Sequence, residues 1–292
     1  MLLIFFSGVG FCLDSSSILS KVVLSDPNID SGNYIMKSYH EKHESLEDSD
    51  YQNFVARELS FHMCKVQTNY LNLEPKLSDL KRGLIGEGSH RHLSSSVRLS
   101  IQQKSISELS NHNCEVILVE RLPSGVFADP FELQHLLQRG VFSDIAVFGD
   151  TNLELPSFLS NRSAVEVHMD VDLNTLKQKN EINLKVKLPL HARYAPLNES
   201  GYWQVRFGAP DLFLRCNVQG KSQNGSCIDM IATDYAKFEN GPIIWNIPAG
   251  IKAHAGVVYV FTFVSAFLAT LLIVVASTFS SSTNRSKSLK QS

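Results

Sequence analysis

The run from Val165 to Leu188, VEVHMDVDLNTLKQKNEINLKVKL, alternates apolar and polar residues twice. Val165, Val167, Met169, Val171 and Leu173 are interleaved with Glu166, His168, Asp170 and Asp172. Ile182, Leu184, Val186 and Leu188 are interleaved with Asn183, Lys185 and Lys187. Side chains of an extended chain point alternately to opposite faces, so each half predicts a strand with one buried face and one in water. Val97, Leu99 and Ile101 repeat the pattern, Cys114 to Val119 is a β-branched run, and Val205 with Phe207 and Ile243, Trp245 and Ile247 add shorter ones. Phe131 to Arg139, FELQHLLQR, predicts one short helix. Strands spaced by turn residues argue a mainly β domain of antiparallel β-sandwich-like form, assigned to residues 56–254.

Both ends are apolar. Residues 1–12, with Leu2, Leu3, Ile4, Phe5 and Phe6, read as a signal peptide. Ala255 to Ser277 is an uncharged run of 23 residues. As a helix it extends roughly 34 Å, beyond the hydrocarbon core of about 30 Å, which predicts a transmembrane helix at 255–277. Arg285, Lys287 and Lys290 follow without an acidic residue, so residues 278–292 form the expected cytosolic tail of a type I single-pass protein. Residues 13–55 are expected as a flexible lead-in, because Asp26 to Asp50 is acidic, serine-rich and without apolar periodicity. Gly83 to Ser96, with Gly86, Gly88 and three consecutive serines, predicts a loop.

With 27 basic against 29 acidic residues, the chain lacks the charge footprint of a polyanion binder, and nucleic acid is not an expected partner. In an oxidising compartment Cys64, Cys114, Cys216 and Cys227 predict two disulfides once Cys12 leaves with the signal. Cys216 with Cys227 would close a short polar loop, which leaves Cys64 with Cys114. Asn161, Asn198 and Asn224 head N-x-S sequons and are expected glycan acceptors on that side of the membrane.

Chemistry is sparse. Asp170-Val171-Asp172 has the D-x-D spacing of a divalent-metal clamp, as does Asp48-Ser49-Asp50, but alternation alone turns residues 170 and 172 toward water. His90-Arg91-His92 could bind a metal, yet no carboxylate or cysteine motif accompanies it in sequence. There is no G-x-S-x-G elbow, P-loop or dinucleotide fingerprint. The expectation is no catalytic residue, no cofactor and no metal, in a protein that works by contact. A surface receptor or adhesion protein, and a glycosyltransferase using Asp170 and Asp172, are the competing readings.

Arg121 to Leu133 reads RLPSGVFADPFEL, an elbow in which Asp129 is placed to cap a helix with Pro130 at its first position. Phe127 and Phe131 are its expected aromatic anchors. Leu188 to Pro196 reads LPLHARYAP, and Ile247-Pro248-Ala249-Gly250 precedes the span. In this order the motifs resemble the PIG-X family, the small non-catalytic subunit of glycosylphosphatidylinositol (GPI) mannosyltransferase I. The resemblance covers roughly residues 95 to 277. It implies an endoplasmic-reticulum membrane protein, its N-terminal domain lumenal, that binds and stabilises PIG-M, the catalytic subunit that adds the first mannose in GPI-anchor biosynthesis. The motif residues are Leu122, Pro123, Gly125, Phe127, Asp129, Pro130, Glu132, Leu133, His191, Arg193, Tyr194 and Pro196. Arg193 and Tyr194, a charged and an aromatic residue side by side after Pro189, are the expected partner contacts.

Overall fold

A computed structural model describes residues 34–59, 75–101, 112–218, 227–231 and 242–288. Two short helices come first, α1 (Ile35–His40) and α2 (Asp48–Asn53), with a π-helical turn at Phe54–Leu59. Then come β1 (Lys76–Ile85), β2 (His90–Ser100), β3 (His112–Arg121), β4 (Val126–Phe127), α3 (Pro130–Gln138), β5 (Asp144–Gly149), β6 (Ser163–Asp170) and α4 (Leu173–Lys179). The chain continues through β7 (Glu181–Ala192), β8 (Tyr202–Phe207), β9 (Asp211–Val218), β10 (Cys227–Ile231) and β11 (Ile243–Pro248) to the long helix α5 (Ala255–Ser288).

The strands form a four-stranded sheet, β1-β2-β7-β4, a five-stranded sheet, β10-β9-β3-β6-β5, and a ribbon, β11-β8, and every strand pair is antiparallel. One core draws on both sheets and the ribbon. Leu93, Val97 and Leu99 of β2 and Val186 and Leu188 of β7 join Val116 and Leu118 of β3, Val165 and Val167 of β6, Leu212 and Leu214 of β9, and Trp245. The alternating residues predicted to face inward do so, each fully buried large apolar side chain contributing roughly 1.5–3 kcal/mol. Polar contacts also cross between layers. Arg82 on β1 forks onto the buried Glu120 carboxylate on β3 at 2.6 and 2.7 Å, and Trp245 Nε1 donates to Gly88 O at 3.1 Å.

Most of the outer face of the five-stranded sheet is covered. Tyr34, Ile35, Met36, Tyr39, Tyr51, Phe54 and Val55 cover Ile117, Val119, Ala146, Phe148, Ala164 and Phe213 in a second core. The flexible lead-in expected over residues 13–55 is therefore overturned for residues 34–55, while 13–33 and the signal peptide at 1–12 lie outside the described residues. The helices are six residues each, too short to display a period, and their apolar side chains gain burial from a preformed sheet face. The polar residues of β6 adapt to this cover. Glu166 is wholly buried and accepts from Ile35 N and Met36 N at 2.9 and 2.8 Å, at the start of α1.

The expected loop from Gly83 to Ser96 is a hairpin instead, its strands β1 and β2 pairing from Lys76↔Ser100 to Ile85↔His92. Gly86 and Gly88, at φ +103° and +71°, confine the turn to a few residues, and the serines belong to the β2 strand. The strand expected to run to Leu173 stops at Asp170. Asp172 caps α4, accepting from Asn174 N at 3.0 Å, so the two aspartates of the D-x-D lie on either side of a strand-to-helix corner.

The disulfide preference also changes. Cys114 on β3 faces Cys216 on β9 in register, with Cα atoms 4.1 Å apart, and these two are bonded. Cys227 on β10 stands opposite Cys216 as well, so register alone does not choose between the two neighbours; the bond is made to Cys114, on the side of β9 that faces the sheet interior. That excludes both Cys216–Cys227 and Cys64–Cys114; Cys64 lies outside the described residues.

Residues 252–279 form a helical stretch with an 18-residue window of mean hydropathy 2.5, none of that window buried in the protein, long and apolar enough to cross a membrane. Its predicted start at Ala255 is that of α5.

Candidate functional site

The two motifs that carry the family resemblance lie far apart in sequence and meet in space. From the elbow, Asp129 accepts from Phe131 N at 2.9 Å and Pro130 opens α3, as expected of a capped helix. Just before it, β4 pairs with the end of β7, Val126 opposite Ala192 and Phe127 opposite His191. Gly125 reaches this pairing at φ +83°, and its carbonyl accepts from Arg193 N at 2.8 Å. A Cβ there would stand 3.1 Å from Ser157 Cβ, so both conformation and space call for glycine.

Glu132 on the first turn of α3 receives His191 Nε2 at 2.9 Å, which joins the first motif to the second. The His191 ring is sandwiched between Phe127 at 5.3 Å and His90 at 4.3 Å. Leu122 and Leu133 are buried in the main core, and Pro130 is buried beside them. Pro123 and Pro196 are half-buried.

The two expected contact residues separate. Arg193 is 3% exposed, its guanidinium 4.7 Å from the Phe127 ring centroid. Its Nη atoms donate to the carbonyls of Asn152, Leu155 and Asp150, and Nη2 lies 3.8 Å from the Asp150 carboxylate. Burial lowers the Arg193 pKa from its ordinary value, with Asp150 opposing. Arg193 therefore clamps the 150–155 loop and is not presented to a partner, because a planar fork of donors satisfies several carbonyls at once. Tyr194, next in sequence, is 85% exposed and holds Ser157 N only through its backbone carbonyl at 3.0 Å. Phe127 is an anchor as expected, whereas Phe131 is 62% exposed and anchors nothing in the core.

A family model described as PIG-X / PBN1 matches residues 86–278. The chain belongs to the PIG-X / PBN1 family. The match runs from the β1–β2 turn through both motifs to the apolar helix α5 and leaves out α1 and α2. A Homo sapiens relative named GPI alpha-1,4-mannosyltransferase I, stabilizing subunit is 26% identical over 213 residues, covering 68% of this chain and 78% of that protein. A Rattus norvegicus relative of the same name is 26% identical over 212 residues, covering 68% and 80%. Protein PBN1 of Debaryomyces hansenii is 30% identical over 107 residues, 36% of this chain and 21% of the relative.

A cleft of about 520 Å³ beside the elbow is lined by Asp48, Arg121, Pro123, Arg162 and Arg206. There Asp48 pairs with Arg121 and Arg162, so the second D-x-D serves as an ion-pair partner for α2. Although burial opposes it, the two arginines hold the Asp48 carboxyl below its usual range.

Elsewhere, His168 bridges Glu115 and Glu166 at 2.9 and 3.0 Å under the N-terminal cover. Burial alone would lower this imidazole; the two carboxylates outweigh it and raise it to about 9. Period-two alternation places His168 on the polar face of β6 but carries no sign that the face would be roofed. Sequence reasoning also missed that His90 and His92 lie near Glu132, forty residues downstream. The only signal was the i, i+2 spacing of the two histidines.

Proposed function

We propose that this chain is an accessory subunit of GPI mannosyltransferase I, binding and stabilising the catalytic subunit PIG-M, which adds the first mannose of the GPI anchor. The observation that carries the reading is the meeting of both family motifs in one ordered junction whose interior is structural and whose most exposed aromatic group is Tyr194. Relatives named as stabilizing subunits support the role. Of the two expected contact residues Tyr194 is the one displayed, an amphipathic ring of the kind enriched at interface hot spots, with Arg193 fixing the strand end that displays it.

In this proposal the membrane is that of the endoplasmic reticulum, crossed once by α5, with the β domain lumenal. Asn161 is exposed and available as a glycan acceptor. Asn198 is tied back, its side-chain amide donating to Tyr202 O at 2.8 Å beside the start of the span, and takes a glycan less readily. Asn224 lies outside the described residues.

The test is affinity capture of the tagged chain from mild-detergent membranes with quantification of PIG-M before and after depletion. Co-purification and a fall in PIG-M on depletion support the role. PIG-M absent from the capture and unchanged by depletion rejects it, and glycans resistant to endoglycosidase H would then turn attention to a cell-surface receptor.

A further inference from the structure

His90, His92 and Glu132 come from two segments, the first strand turn of β2 and the first turn of α3, yet each offers a ligand atom within 4.8 Å of the others. His90 Nε2 lies 3.6 Å from Glu132 Oε1. Bonds of 2.0–2.1 Å in a tetrahedral zinc site set ligand atoms roughly 3.3 Å apart, so this edge is nearly at its final length. His92 needs only a side-chain adjustment to close the triangle, and its ring already sits 5.4 Å from that of His90.

The remaining carboxylate oxygen is fixed separately. Glu132 Oε2 receives His191 Nε2 at 2.9 Å, which turns Oε1 toward His90, and His90 is itself held by stacking on His191. A ligand oriented by a hydrogen bond from outside the coordination sphere is a recurrent feature of metal sites. Two imidazoles and one carboxylate suit a borderline divalent cation better than calcium or magnesium, which prefer oxygen.

We propose that His90, His92 and Glu132 bind a zinc-like divalent cation, with His191 as the residue that positions Glu132. Three protein ligands leave a fourth position for water. The cation ties the β1–β2 hairpin to α3, and so joins the elbow to the inner strand β2 of the four-stranded sheet.

The experiment uses the full-length protein in detergent, titrated with Zn²⁺ against a chromogenic chelator. One Zn²⁺ per chain is expected, with affinity reduced at least tenfold in His92→Asn and in Glu132→Gln, and unchanged in His254→Asn, an exposed histidine by the membrane helix. Zn²⁺ should also raise the melting temperature of the wild type and not of His92→Asn. His92 is a partly exposed strand residue, so the variant folds and a loss of binding is not a loss of structure. Equal affinity in wild type and His92→Asn, or no stoichiometric binding by the wild type, overturns the proposal.

Discussion

Replacing His168 with glutamine should flatten the dependence of stability on pH between about 6.5 and 9. The imidazole is 3% exposed and bridges Glu115 and Glu166, the second of which holds the start of α1. Its pKa is raised in the folded state from 6.5 to about 9, so the folded protein binds this proton more tightly than the unfolded chain. The resulting stabilisation is complete below pH 6.5 and is lost as pH rises through 9. At 1.36 kcal/mol per pKa unit, it amounts to roughly 3 kcal/mol. Thermal unfolding of the full-length protein in detergent, followed by intrinsic fluorescence from pH 6 to 9.5, should show the wild type falling by several degrees more than His168→Gln. Hydrogen exchange at Ile35 and Met36 should rise over the same interval in the wild type. Parallel pH profiles for the two proteins would refute the reasoning, since the buried bridge would then hold no differential proton.

Arg193→Ala should lower stability by about 3 kcal/mol or more, because it leaves the carbonyls of Asn152 and Leu155 without a donor and Asp150 without its cation; chemical denaturation gives the value. Tyr194→Ala should stay within about 0.5 kcal/mol of wild type in the same assay, as an exposed substitution does. Paired Cys114→Ser and Cys216→Ser changes open a cross-link spanning 102 residues and should cost about 2–5 kcal/mol, read as a shift in denaturation midpoint that reducing agent reproduces in the wild type. Gly125→Ala should destabilise by about 1–2 kcal/mol, since alanine must take φ +83° with its methyl against Ser157.

Alternation made β2, β6 and β7 legible because each has one face in the main core, and the capped helix at Asp129-Pro130 was legible because its signals are local. Strands β5 and β9 escaped that reading. Ile145 to Phe148 and Leu212 to Arg215 are buried without a break, for the sheet that holds them is covered on both sides, and continuous burial erases the period of two. The same cover explains Glu166 and His168, whose polarity promised water and whose partners are each other, Glu115, Arg215 and the α1 backbone. Of the site, the motif residues were visible but not their roles. Arg193 looked like a contact because charge usually lies outside, and only the position of the 150–155 loop shows that its fork is used inward. The His90, His92 and Glu132 grouping depends on a helix placed against a hairpin, which no local pattern encodes.

The way the β domain joins its membrane helix has a mechanical consequence. Asn198 N donates to Gly250 O at 2.9 Å, Ala249 N to Gly201 O at 2.8 Å, and Lys252 N to Asn198 O at 3.1 Å, three residues before α5 begins. Such a splice fastens the segment ahead of α5 to the β domain, so a pull on the start of the helix is taken up first at the Asn198 turn. Inserting a few glycines after Lys252 should loosen that link without unfolding either part.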